Sequence, residues 1–192
     1  MTCQQTGAPG IPTDHADDGA VVSPDLNAPH RTTDEPLGDH TVKIAPFLWY
    51  DRDLAEVLSF YRAIFDDFRV INSTPGAEGS VMMATFEMAG QEIMALNGGP
   101  MYTFTEAVSL FVSVGSQEEV DVLWSALTAD GGAESRCGWL RDRFGLSWQI
   151  IPTALGQLMG DPDQEKSARV RQTMMTMNKI DVAALEAAHR GE

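Results

Sequence analysis

Histidine is missing from the body of this chain. The four His residues are His15, His30, His40 and His189, and none lies between Thr41 and Ala188. Histidine is the commonest transition-metal ligand and the usual general base near neutral pH. Metal centres and His-driven proton transfer are therefore hard to build here. Cysteine is scarce as well, with only Cys3 and Cys137 and no Cys-x-x-Cys pair. That argues against a disulfide framework and a structural zinc cluster, and it suits a reducing compartment. Bases are few, 13 against 28 acids, for a net charge of −15. Nucleic acid and anionic membrane both reward dense Lys/Arg patches, so neither is an expected partner. No apolar run reaches the roughly 18–20 residues that span a bilayer. Met1 to Gly10 lack the apolar core of a secretory signal. The expected setting is cytoplasmic.

At 192 residues, 43% of them hydrophobic, the chain suits one domain or two small halves sharing a core. Residues 1–41 stand apart, rich in Pro, Gly, Asp and Thr and without an aromatic residue. Their acids (Asp14, Asp17, Asp18, Asp25, Asp34, Glu35, Asp39) face a single base, Arg31. Such a segment buries too little apolar surface to offset its ordering entropy. The expectation is a disordered acidic tail, with a partner-binding arm as the alternative.

From residue 42 onward the pattern is regular. Lys43 to Tyr50 reads as a strand, and Asp51-Arg52-Asp53 supplies a helix cap. Leu54, Val57, Leu58 and Tyr61 then form one helical face, ending near Asp66-Asp67. Strands follow at Phe68–Ser73, Ser80–Met88 and Glu92–Leu96, with turns at Pro75-Gly76 and Ala89-Gly90. The second half repeats the plan. Val108–Val114 reads as a strand, and Ser116 with Glu119 forms a capping-box pattern. Val120, Leu123, Trp124 and Leu127 give the second helical stripe, stopped by Gly131-Gly132. Short strands are expected at Ala133–Cys137, Trp139–Arg143 and Leu146–Pro152. An offset of 64 residues places Phe47 on Phe111, Leu58 on Val122 and Phe60 on Trp124.

The duplication predicts an α+β fold of two βαβββ modules, at about 42–100 and 101–152. Each module has a one-sided sheet with a helix on its outer face, so two sheets facing each other enclose a cleft. Residues 153–192 are expected to be a helical extension. One helix starts at Asp161-Pro162-Asp163, with Val170, Met174 and Met177 on its apolar side. A last one lies at Ile180–Ala188.

Several runs resemble a known family. They are Gln91 to Pro100, Ser109 to Val112, Cys137 to Leu140, Gly145 to Pro152 and Lys179 to Asp181. They are similar to PhnB-like proteins of the vicinal oxygen chelate (glyoxalase/bleomycin resistance/dioxygenase) superfamily. The domain of these proteins is often labelled 3-demethylubiquinone-9 3-methyltransferase. The resemblance covers about Val42 to Ala188. It implies paired βαβββ modules, an open barrel-like cleft and a homodimer. Metalloenzymes of the superfamily carry His, Gln or Glu on the first and last strands of each module. The positions matched here are Ile44, Ala107, the group Met94-Ala95-Leu96, and Gln149. Aliphatic side chains do not coordinate metals, and one amide oxygen is a poor transition-metal site. A Gly-rich cofactor turn opening onto a helix after a first strand is also absent. The reading is a small-molecule binder with no metal and no cofactor.

The ligand-binding candidates are Trp49, Asn97, Phe104, Ser109, Cys137, Trp139 and Gln149. Gln149 alternates with Trp148 and Ile150, so its amide faces the other side of the strand. A buried amide bonded to nearby groups is the equal alternative. Asn97 also reads as a turn cap before Gly98-Gly99, Ser109 as a core hydroxyl, and the aromatic residues as core. Cys137 is the only thiol in the body, with Arg136 and Arg141 close in sequence, and also reads as packing. Glu87 and Glu92 read as surface carboxylates. The alternative functions are a group-transfer enzyme matching the methyltransferase label, or a metal-dependent glyoxalase- or dioxygenase-like enzyme.

Overall fold

Pro46 delays the first strand. A proline has no amide hydrogen for the ladder, and β1 spans Phe47–Tyr50 rather than starting at Lys43. The computed structural model describes residues 42–192, so the expected acidic tail, residues 1–41, lies outside the described residues. After β1 come α1 (Leu54–Ile64), β2 (Arg69–Pro75), β3 (Val81–Met88) and β4 (Gln91–Asn97). The second series is β5 (Ser109–Val114), α2 (Gln117–Thr128), β6 (Ala133–Glu134), β7 (Trp139–Arg141) and β8 (Ser147–Pro152). Three helices close the chain: α3 (Thr153–Met159), α4 (Gln164–Met174) and α5 (Val182–Arg190). Among the described residues no helix is long and apolar enough to cross a membrane.

The two modules have the same topology. One sheet runs β1-β4-β3-β2 and the other β5-β8-β7-β6. In each, the first strand pairs in parallel with the last, and the remaining pairs are antiparallel. Each helix therefore links the two edge strands of its sheet and must cross one face to do so. Among the described residues the fold is α+β, with two four-stranded sheets, C-terminal helices and no closed barrel.

Local chemistry sets the helix starts. Asp53 caps α1 by accepting from Ala55 N at 3.1 Å, and also accepts from Val81 N at 3.0 Å, tying the helix to β3. Those backbone donors hold its carboxyl below the ordinary range. Ser116 and Glu119 form the full capping box on α2. The 64-residue offset holds for the strands: Phe47 pairs with Met94 and Phe111 with Gln149. It slips in the helices, where Leu58 is buried but Val122 is 65% exposed. Three residues join β1 to α1 and two join β5 to α2, so the helices are displaced by one residue. Val57 and Tyr61 then match Val120 and Trp124, all of them buried. The first-strand positions also need correction. Ile44 (90% exposed) and Ala107 precede their strands, and Phe47 and Phe111 occupy the strand positions instead.

One core joins the modules through their helix-bearing faces. Tyr50, Tyr61 and Phe86 from the first module pack with Phe144 and Trp148 from the second. Phe65, at the end of α1, stacks on Trp148 with ring centroids 5.7 Å apart. A second cluster holds the C-terminal helices, with Leu155, Val170, Ile180 and Leu185 buried and Ile151 of β8 packed against them.

Candidate functional site

Strand alternation divides each sheet into a core face and an open face. On β8, Trp148 and Ile150 are fully buried, while Gln149 points the other way and is half-buried. Its Nε2 donates to Ser109 Oγ on β5 at 2.9 Å. Trp139 of β7 is the direct neighbour of Gln149 on one side and Phe111 of β5 on the other. The second module thus gathers Ser109, Trp139 and Gln149 on one face, beside a Phe111 that is 60% exposed. With Nε2 committed to Ser109, the amide oxygen of Gln149 and the remaining amide hydrogen are left for a ligand.

The first module presents Phe47 and Trp49 on β1 next to Met94 and Leu96 on β4. Phe47 is 49% exposed. Trp49 is fixed in place. Its Nε1 donates to Gly99 O at 2.8 Å, and Tyr102 meets its ring edge-on at 5.0 Å. Gly98 makes room for the ring, because a Cβ there would lie 2.2 Å from it. Asn97 ends β4 opposite Tyr50, on the other side of the strand from Leu96. Glu87 and Glu92 stand side by side across β3 and β4, each with its own cation, Arg69 and Lys43 respectively.

Two grooves lie at the junction of the modules. One, about 200 Å³, is lined by Trp49, Arg52, Tyr102, Phe104, Arg141 and Phe144 among others. The second, about 350 Å³, runs between Pro46, Met88 and Ile93 on one side and Ser109, Leu110 and Phe111 on the other. Trp49 and Phe104 therefore share the first groove, and Ser109 reaches the second. Trp139 and Gln149 line neither. Cys137 lies apart on the β6–β7 turn, with its Sγ 3.8 Å from Met175 Sδ and its amide bonded to Met177 O. Trp148 belongs to the core.

Arg52, Tyr102 and Arg141 line the first groove but are not among the candidates that the sequence suggests. Arg141 was accessible by alternation, since it lies two residues beyond Trp139 on the same strand. Tyr102 has no such pattern to reveal it, because it sits in the connection between β4 and β5.

Asp142 is buried in the core beneath these faces, with 1% exposure. It accepts from Tyr61 Oη at 2.7 Å, Trp148 Nε1 at 2.9 Å, Phe144 N at 2.9 Å and Leu146 N at 3.1 Å. Because Tyr61 donates to the carboxylate, the 3.1 Å contact between the two tyrosines has Tyr50 as donor. Burial pushes the Asp142 carboxyl and both phenols above their ordinary values. These groups lock α1 onto the β7–β8 hairpin.

The donor set does not suit a transition metal. The open-face pairs on the parallel strands are Phe47 with Met94 and Phe111 with Gln149. Only Gln149 offers an oxygen, and a thioether beside two phenyl rings gives no hard or imidazole donors. Among the described residues no three His, Cys, Asp or Glu side chains converge. A doubly wound dinucleotide-type site needs a mostly parallel sheet, whereas each sheet here has one parallel pair.

A family model described as 3-demethylubiquinone-9 3-methyltransferase matches residues 42–151. The PhnB protein of Bacillus cereus, which bears the same methyltransferase designation, is 31% identical. The match covers 58% of this chain and 100% of that one, with a TM-score of 0.54. A Pseudomonas aeruginosa protein is 20% identical over 58% of this chain and 98% of its own, with a TM-score of 0.48. The glyoxylase/bleomycin resistance protein/dioxygenase domain from Frankia is 20% identical over 59% of this chain and 93% of its own, with a TM-score of 0.42. No curated protein matches this chain.

Proposed function

Since the chain belongs to the 3-demethylubiquinone-9 3-methyltransferase family of PhnB-like proteins, we propose that it is a metal-free small-molecule-binding protein that works as a homodimer. The observation that carries this reading is the open face of the second module. Gln149 and Ser109 are hydrogen-bonded to each other and flanked by Trp139 and Phe111, with part of the amide left unpaired. An aromatic surface with one or two oriented polar groups is the ordinary make-up of a ligand site. Within one chain the modules meet by their helix-bearing faces, which leaves Phe47 and Phe111 uncovered. A second copy laying its sheet over this face would complete a cleft. In this proposal residues 42–152 are the binding domain and 153–192 a helical extension of it.

The test is native mass spectrometry of the purified chain beside Phe111→Asp. The expected result is a wild-type dimer that carries an organic adduct or nothing, and a folded monomer for the variant. A stoichiometric catalytic metal would overturn the metal-free reading. A wild-type monomer at micromolar concentration would overturn the shared cleft.

A further inference from the structure

We propose that the groove of about 200 Å³ between β1 and the β7–β8 hairpin is a receptor for a small planar carboxylate, with Arg141 receiving the carboxylate and an aromatic wall receiving the ring. This goes beyond the open face of the second module, since Ser109, Trp139 and Gln149 do not line this groove, and it rests only on the reading of the chain as a small-molecule binder. It does not require the second copy.

Charge is the first reason. The chain as a whole is acidic, at −15, yet this groove is lined by Arg52 and Arg141 against one carboxylate, Asp51. Asp51 is already taken, with Arg52 Nε 3.2 Å from its Oδ1. Arg141 has no carboxylate partner among the described residues. A guanidinium presents a planar fork of donors that matches a carboxylate in two parallel bonds. A positive groove on so negative a surface also selects against the many cations that the rest of the chain attracts.

The second reason is shape. Trp49, Tyr102, Phe104 and Phe144 supply most of the apolar wall, and each is held before any ligand arrives. Trp49 is bonded to Gly99 O and seated on Gly98. Tyr102 meets Trp49 edge-on at 5.0 Å. Phe104 and Phe144 both pack edge-on against the buried Tyr50, at 5.1 and 6.0 Å. A wall already ordered lowers the entropic cost of binding. Volume limits the ligand: an apolar cavity of about 150 Å³ accepts one benzene molecule, so this groove holds a single ring with a short acidic group. Ring faces against aromatic edges give the favoured T-shaped contact.

The experiment is calorimetric titration of the full-length chain with benzoate, benzyl alcohol and inorganic phosphate. Benzyl alcohol keeps the ring and removes the charge, while phosphate keeps charge and removes the ring. Benzoate is expected to bind at least tenfold more tightly than either. Arg141→Gln should weaken benzoate by roughly ten- to a hundredfold, the scale of a charge-assisted paired hydrogen bond. Arg141→Lys should recover part of the loss, and Arg171→Gln, which removes the same charge from α4, should leave binding unchanged. Arg141 is exposed, so its variants should melt as wild type does. Equal binding of benzyl alcohol, with no effect of Arg141→Gln, would overturn the carboxylate assignment while leaving a ring-binding protein in place. Phosphate as tight as benzoate would overturn the aromatic part. No heat from any of the three would overturn the proposal itself, while an organic adduct in native mass spectrometry would still support small-molecule binding.

Discussion

Removing the Asp142 carboxylate should be among the most damaging single changes in this chain. Four donors converge on its two oxygens at 2.7–3.1 Å, in a site with 1% exposure. In Asp142→Ala, the Tyr61 hydroxyl keeps Tyr50 as a partner. The Trp148 indole N–H and the amides of Phe144 and Leu146 lose theirs. An unsatisfied buried donor costs about 1–3 kcal/mol, so three of them, partly offset by removal of a buried charge, cost about 4 kcal/mol in total. For a body of this size 4 kcal/mol corresponds to a fall in Tm of roughly 8–16 °C. Asp142→Asn is expected to be milder. Its oxygen can still accept from the two backbone amides, and its NH₂ can donate to a reoriented Tyr61 hydroxyl. Only Trp148 Nε1 is left facing another donor.

The pH dependence has a definite sign. Burial is the largest influence on the carboxyl and holds its pKa above the ordinary Asp value. The folded chain therefore binds this proton more tightly than the unfolded chain does. The stability that results is fully present below the unfolded value, about 4, and is lost as pH rises through the folded value. Wild type should thus lose ground against Asp142→Asn across that window, and the gap should flatten above it. Urea unfolding followed by Trp fluorescence at several pH values, at one fixed protein concentration, measures this. A gap that widens with rising pH would show the donors outweighing burial. A loss below about 1 kcal/mol in Asp142→Ala would refute the hub itself.

Two further substitutions test local geometry. Gly98→Ala places a Cβ 2.2 Å from the Trp49 ring. It should displace that ring from Gly99 O, at about 1–3 kcal/mol for overpacking, and an unchanged Trp49 indole resonance by NMR would refute the close approach. Ser116→Ala breaks the capping box of α2 and should cost about 1 kcal/mol in the same urea assay. A loss no larger than that of Ser125→Ala, an exposed serine of α2 outside the cap, would mean the cap adds nothing.

The fold was legible because its signals are local and doubled. Asp53 and Ser116 announce helix starts, Ala89-Gly90 announces a hairpin, and the apolar stripes of α1 and α2 recur one module apart. Gln149 was legible by alternation with Trp148 and Ile150. What the sequence concealed is long-range. Asp142 reads as a hairpin residue between two arginines, and only the fold brings Tyr61, 81 residues away, onto its oxygen. Arg141 and Trp49 likewise share a groove only because β1 ends beside the β7–β8 hairpin. Cys137 gives the opposite case. It lies two residues before Trp139 of β7, yet its positive φ of 58° turns it toward the C-terminal segment.

That C-terminal segment bears on where a ligand can sit. The family match ends at residue 151, and Ile151 is the open-face residue that α3–α5 cover. The contact is anchored by backbone, with Cys137 N bonded to Met177 O and Gly138 N to Asn178 O, at 2.8 and 2.7 Å. Gly138, at φ 83°, permits it, since a Cβ there would lie 2.6 Å from Ile151 Cδ1. The helices thus close the end of the second sheet beyond Gln149 while Phe111 stays open. A ligand that reaches Gln149 must then approach from the side of Ser109 and Arg141. On that side the open face and the positive groove adjoin, so one ligand can engage the ring-lined groove and the amide only if it is longer than a single ring. A one-ring acid bound at Arg141 should therefore be insensitive to Gln149→Ala, whereas a homologue extended by a polar chain should not be.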